Sequence, residues 1–167
     1  GTNLQSFIDK VAAGELDLEL CLVFSNRPDA FGLERARKAG IATACIEHGD
    51  FTDRESFDRA VAAVIDDHDP ELIVLAGFMR ILSPWFVQHF EGKVLNIHPA
   101  LLPSFGGQGM WGHHVHEAVL EAGCRVSGPT VHLVDEVYDR GAIIAQWPVP
   151  VFAEDEPADV AARVLEA

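Results

Sequence analysis

The chain has 167 residues, 49% of them apolar and 23% charged, a composition that predicts one globular domain with a sizeable core. Its 26 acidic residues against 12 Lys and Arg give a net charge of −14, which argues against a nucleic-acid partner, because phosphate backbones are held by clustered basic side chains. A small anionic ligand stays open, since it needs only a local cradle, and no apolar run approaches the ~20 residues of a membrane-crossing helix.

Asn3 to Ala13 reads as an amphipathic helix, with Leu4, Phe7, Ile8, Val11 and Ala12 on one face. Leu18 to Ser25 (LELCLVFS) reads as a strand. Ala30 to Ala39 is a helix stopped by Gly40, Ala42 to Ile46 a short strand, and Thr52 to Asp67 a helix carrying Phe57, Val61, Val64 and Ile65. Leu72 to Ala76 (LIVLA) is continuously apolar, the pattern of a strand covered on both faces. Ser83-Pro84 opens a short helix, and Val94 to Ile97 is the next strand. Pro103 to Gly112 (PSFGGQGMWG) is a Gly-rich loop, and His113 to Ala122 a helix stopped by Gly123. Thr130 to Val134 and Ala142 to Val151 can pair as a hairpin around Asp139, and Glu156 to Ala167 begins a last helix. Strands alternating with helices predict an α/β fold: a doubly wound, mostly parallel sheet, Rossmann-like, with an antiparallel hairpin near the C-terminus.

Cys21, Cys45 and Cys124 are odd in number and widely spaced, so no disulfide framework is expected. Cys21 and Cys45 lie in apolar runs and are expected to be buried thiols. Free thiols and the lack of a visible signal peptide predict a cytoplasmic protein.

The stretch Asn96-Ile97-His98-Pro99 carries the chemistry. Residues i and i+2 of extended backbone point the same way, so Asn96 and His98 address one small volume. An uncharged amide donor and an imidazole suit a carbonyl carbon under attack, where an oxyanion forms and a proton moves. Asp139 can orient the imidazole. The same residues also admit a plainer reading, a strand-end Asn capping a turn and His-Pro beginning a loop. Gly1-Thr2-Asn3 is open in the same way: the start of a helix favours an anion, but Thr or Asn there is also an ordinary cap. His113 and His116 share a helix face, yet with His114 they converge poorly on a tetrahedral ion, so no metal site is expected. Helix-end packing is expected for these histidines, a hydrogen-bonding role beside the site for His132, and packing roles for Trp85, Trp111 and Phe105.

The segments FSNRPDAFGLERARKAGI, LAGFMRILSP, LNIHPALLPSF, GHHVHEAV and VHLVDEVYDRGAIIAQ occur here in one order. Together they resemble the folate-dependent phosphoribosylglycinamide formyltransferases of purine biosynthesis, over essentially the whole chain. The resemblance implies an enzyme that passes the formyl group of 10-formyltetrahydrofolate to the amine of glycinamide ribonucleotide, without a metal. It implies that Asn96 donates to a tetrahedral oxyanion, that His98 is general acid and electrostatic stabiliser, and that Asp139 holds His98, raises its pKa and helps relay the amine's proton. It places Met79, Arg80, Ile81 and Leu82 along the pterin cleft, with Asp135 and Glu136 closing the other side. Arg54 would meet the folate glutamate, and Gly1, Thr2 and Asn3 the ribonucleotide phosphate. The partners implied are these small molecules, with a monomer or homodimer and neither nucleic acid nor membrane.

The family has an apolar strand before the position of Gly1 and a last helix running beyond that of Ala167. The resemblance therefore implies a catalytic domain, residues 1–167, shortened at both ends, less stable than the complete enzyme and weak for the ribonucleotide. Related activities share the Asn-x-His and Asp pattern. A formyltetrahydrofolate hydrolase, or a folate-binding module without catalysis, is the alternative. A tRNA formyltransferase is disfavoured by the acidic charge and by Ser104-Phe105-Gly106-Gly107 after the Leu-Leu-Pro segment, and a sugar-nucleotide formyltransferase by the FSNRPDAFGLERA stretch.

Overall fold

The computed structural model describes residues 2–78 and 80–167. The fold is α/β, and the chain divides into two compact units, Gly1–Glu71 and Leu72–Ala167.

The first unit runs α1 (Thr2–Ala12), β1 (Val23–Ser25), α2 (Phe31–Lys38), β2 (Thr43–Cys45), a single 3-10 turn (His48–Asp50) and α3 (Arg54–Asp66). β1 and β2 are parallel, with Val23 opposite Thr43 and Ser25 opposite Cys45. The strand expected from Leu18 starts only at Val23, because the register carries earlier residues past the start of β2. There the chain is still closing α2. Gly40 (φ 74°) is left-handed, its N–H donates to the Arg37 carbonyl at 3.1 Å, and Ile41 N–H donates to Ala36 at 2.9 Å. This pair of bonds satisfies the last carbonyls of the helix. α3 starts where the Asp53 carboxylate accepts the Ser56 N–H at 2.8 Å. Leu33, Ala36, Phe57, Val61, Ala62 and Ile65 are buried, and the Phe57 ring meets Phe24 and Phe51 at 6.5 and 5.6 Å. The expected burial of Cys21 and Cys45 is not met: Cys21 is half-buried and Cys45 exposed. An apolar run predicts burial only where a strand is covered, and Cys45 ends a strand of a two-stranded pair, in which both strands are edges.

The second unit contains β3 (Ile73–Leu75), α4 (Pro84–His89), β4 (Val94–His98), α5 (His113–Glu121), β5 (Val126–Ser127), β6 (Thr130–Leu133), β7 (Ile143–Gln146), β8 (Val149–Pro150) and α6 (Pro157–Glu166). Its main sheet has the order β3-β4-β6-β7, parallel between β3 and β4 and antiparallel beyond. The expected hairpin is present, but it is longer than expected, interrupted between its two halves and shifted in register between Val131 and His132. β5 pairs with β8 and β6 with β7, so both arms continue through Gly128-Pro129 and Trp147-Pro148. Pro lacks a ladder N–H, and the chains cross so closely there that a Cβ on Gly128 would lie 1.8 Å from the Trp147 oxygen. β3 is also less covered than its apolar run predicts. It is an edge strand of its sheet, and Leu72 and Val74 are exposed. α5 and α6 close over Val119, Val149, Val151, Val160 and Val164, with Phe105, Leu120 and Cys124 packed against them. Ser83 caps α4 through the Phe86 N–H, and Glu156 with Asp159 forms a reciprocal capping box on α6.

Candidate active site

Antiparallel pairing sets Asn96 opposite His132 and His98 opposite Thr130, and Thr130 opposite Gln146. Directly opposed residues share a face, so these side chains form a polar stripe on one side of the sheet. Burying such a stripe is tolerated only when its groups find partners. Thr130, fully buried, donates to the Ala100 carbonyl at 2.6 Å and accepts from Leu102 N–H at 3.0 Å and from the Gln146 amide at 3.1 Å. Gln146 also donates to the Leu102 carbonyl at 2.9 Å. These bonds hold the bend after His98-Pro99, which includes the cis Leu102-Pro103 bond.

Past this bend the loop turns back. Phe105 takes a left-handed conformation (φ 54°), and its carbonyl lies 2.8 Å from His98 Nε2. A carbonyl can only accept, so Nε2 carries the proton and donates. His98 Nδ1 is left facing Asp139, 3.6 Å from Oδ2. The loop after β6 folds back to bring Asp139 there, itself left-handed at φ 54°. Gly141 makes the fold possible, since a Cβ on it would lie 1.8 Å from the Leu133 oxygen. Asp139 Oδ2 accepts the Gly107 N–H at 2.8 Å, and Oδ1 lies 3.6 Å from His132 Nε2. His132 donates from Nδ1 to the Leu133 carbonyl at 2.8 Å, so in the neutral ring Nε2 accepts from the Asn96 amide at 3.2 Å, and in the protonated ring it carries a proton facing Asp139 Oδ1.

Burial and charge set the protonation states. His98 and His132 side chains are 4% and 3% exposed and Asp139 10%. Burial pushes His98 below the ordinary histidine value, and Asp139 and the Phe105 carbonyl only partly oppose it. Asp139 pulls the His98 pKa upward, as expected, but desolvation is larger and the net shift is downward. For His132, burial also pulls downward, but the nearby Asp139 carboxylate and the bond to the Leu133 carbonyl outweigh it and the net shift is upward. Burial favours a protonated Asp139, yet His132, the Gly107 N–H and His98 together hold its pKa below the ordinary carboxylate value.

The fold thus gathers Asn96, His98 and Asp139 as expected and adds His132, the Phe105 carbonyl and the Gly107 N–H. Phe105, read from sequence as packing, has both roles. The signal for the stripe was present as Thr-x-His in β6 opposite Asn-x-His in β4. Asp135 and Glu136 lie on the exposed turn before Asp139. Asp135 accepts the Val137 N–H at 2.8 Å, and Glu136 accepts from Gln88 at 3.0 Å. Because β3 is parallel to β4, with Leu75 opposite Asn96, the segment after β3 leaves from the same end of the sheet. In it Arg80 is half-buried, Ile81 exposed and Leu82 buried. Met79 and Gly1 lie outside the described residues. Thr2 and Asn3 open α1, and Arg54 is the exposed first residue of α3. Of the clustered histidines, His116 is buried, while His113 and His114 are exposed and both meet Glu117, at 3.0 and 3.2 Å. Among the described residues no group of three or more His, Cys, Asp or Glu is arranged to hold a metal ion.

A family model described as formyl transferase matches residues 1–167. A phosphoribosylglycinamide formyltransferase of Escherichia coli is 48% identical over 164 residues, which are 98% of this chain and 75% of that protein. A trifunctional purine biosynthetic protein adenosine-3 of Gallus gallus is also 48% identical, over the whole of this chain but only 16% of its own length. Among solved structures, a phosphoribosylglycinamide formyltransferase of Coxiella burnetii is 42% identical with a TM-score of 0.91, covering 99% of this chain and 75% of that one. The chain belongs to the phosphoribosylglycinamide formyltransferase family.

Proposed function

We propose that this enzyme transfers the formyl group of 10-formyltetrahydrofolate to the amine of glycinamide ribonucleotide, a step of purine biosynthesis, with Asn96, His98 and Asp139 carrying the chemistry. The supporting observation is the orientation of His98: with Nε2–H held by the Phe105 carbonyl, only Nδ1 is available to take a proton, and it faces a carboxylate. The donor set suits a formylated folate, which supplies an electrophilic carbon already activated on nitrogen. Asn96 retains one amide N–H beyond the one given to His132, and we assign it to the oxyanion that forms as the amine adds. His98 begins neutral, accepts the proton of the attacking amine at Nδ1, and becomes an imidazolium beside Asp139. It then acts as general acid, returning that proton to the folate nitrogen as the old C–N bond breaks.

The same reading gives Thr2 and Asn3, with Gly1, to the ribonucleotide phosphate; the free N–H groups of the first turn of α1 support it. It gives the pterin to the backbone around Met79, Arg80, Ile81 and Leu82 on one side and to Asp135 and Glu136 on the other, and the glutamate tail to Arg54. The match of one family model across the chain supports treating residues 1–167 as a single catalytic domain. No helix among the described residues is long and apolar enough to cross a membrane, and we place the enzyme in the cytoplasm with small-molecule partners.

Formyl transfer followed by folate absorbance tests this. Turnover must require glycinamide ribonucleotide, and His98→Ala must abolish it while folate still binds. Deformylation without the amine would instead identify a hydrolase, and folate binding without turnover a non-catalytic module.

A further inference from the structure

We infer that the main chain of Phe105, Gly106 and Gly107 is a positioning clamp for the catalytic pair, acting on His98 and Asp139 at once through backbone atoms. The inference rests on the function proposed above and names what aims its two reacting groups. One end of this tripeptide accepts from His98 Nε2–H at 2.8 Å, and the other donates from Gly107 N–H to Asp139 Oδ2 at 2.8 Å. The oxygen so held is the one that faces His98 Nδ1. Two bonds from one short stretch of chain therefore fix both the tautomer of the imidazole and the oxygen presented to it.

The local conformation is specific to this task. Phe105 is left-handed at φ 54°, which a residue with a Cβ seldom adopts, and that turn directs its carbonyl inward. Gly107, at φ 97°, is in a region that only glycine enters freely, and it turns its N–H onto the carboxylate. Between them Gly106 lies so close to Leu102 and Asp139 that a Cβ would stand 2.6 Å from Leu102 Cδ2 and 3.1 Å from the Asp139 Cβ. Nothing lies within 4 Å of a Cβ built on Gly107, so replacing it strains the backbone without a steric clash. Gly109, at φ 89° and equally open, is strained in the same way by a side chain but makes no hydrogen bond to either catalytic group. It is therefore the control.

The groups that face Asp139 are His98 on β4, His132 on β6 and the Gly107 N–H. If Gly107 releases Oδ2, the carboxylate is free to swing away from His98 and His132; its attraction for their protonated forms falls as the distance grows, and both should titrate at lower pH. The experiment is Gly107→Ala beside Gly109→Ala, with histidine titrations by NMR on the unliganded protein and steady-state kinetics for both substrates. In Gly107→Ala the midpoints of His98 and His132 should fall, and kcat should drop about tenfold to a hundredfold, with both KM values within about twofold. Gly109→Ala should leave both midpoints at the wild-type values.

Gly107→Asn is the second variant, since Asn tolerates positive φ better than other L residues. It should lie between wild type and Gly107→Ala in both midpoints and kcat, and it carries the test if the alanine variant does not fold. Unmoved midpoints in the Gly107 variants, or equal shifts in Gly109→Ala, would overturn the clamp. Lowered midpoints in a protein whose wild type formylates no glycinamide ribonucleotide would remove the proposed acceptor and leave the clamp standing.

Discussion

Thr130→Val removes one oxygen from the fully buried position that ties the sheet to the bend behind His98. Valine fills the same volume, so no cavity opens. What is lost is a donor to the Ala100 carbonyl and an acceptor for the Leu102 N–H and the Gln146 amide. Gln146 keeps its bond to the Leu102 carbonyl, and the Ala100 carbonyl, with two lone pairs, is the cheaper orphan. The main penalty is the Leu102 N–H, left buried without an acceptor. With the weakened carbonyl this comes to about 2–4 kcal/mol. For a chain of this size that is a fall of roughly 5–15 °C in Tm. Urea unfolding followed by circular dichroism measures it. Thr130→Ser keeps the hydroxyl and should cost only about 1 kcal/mol for the lost methyl. A valine variant within about 0.5 kcal/mol of wild type, or a serine variant as unstable as the valine one, would refute the hydrogen-bond account.

Two predictions concern pH. Burial lowers His98, so its proton-accepting form persists into mild acid, and the acid limb of kcat should lie below about 6.5; a limb above about 7 in a rate–pH profile would remove His98 as the group that accepts the proton. His132 is raised in the folded protein, so its stabilising contribution is fully present below its unfolded value, about 6.5, and disappears as pH rises through the folded value. Urea titrations should therefore show His132→Gln costing more stability at about pH 6 than at about pH 9, and equal costs would contradict the ion pair with Asp139.

Much of this protein is legible in one dimension because the signals are local. Helix ends follow from single residues: Asp53 and Ser83 accept the N–H groups that start α3 and α4, and Gly40 takes the left-handed turn that ends α2. The period of two in Asn96-Ile97-His98 puts amide and imidazole on one face in any extended strand, and the ordered motifs place the chain in its family. Strand limits were less legible, because a strand ends where its partner does: nothing within Leu18 to Leu22 says that β2 begins only at Thr43. Cys45 illustrates the same limit, being apolar by context and exposed by position.

The electrostatics of the site is settled only by packing. The residues name a histidine and an aspartate but do not say that His98 gives Nε2–H to a carbonyl seven residues on, nor that burial outweighs Asp139 in setting its pKa. They do not say that His132, from an antiparallel strand, takes the upward shift instead. The order of residues dictates which groups can carry a proton. The free energy of holding it depends on desolvation and on charges within a few ångströms, and those distances exist only once β4, β6 and the two loops have packed together.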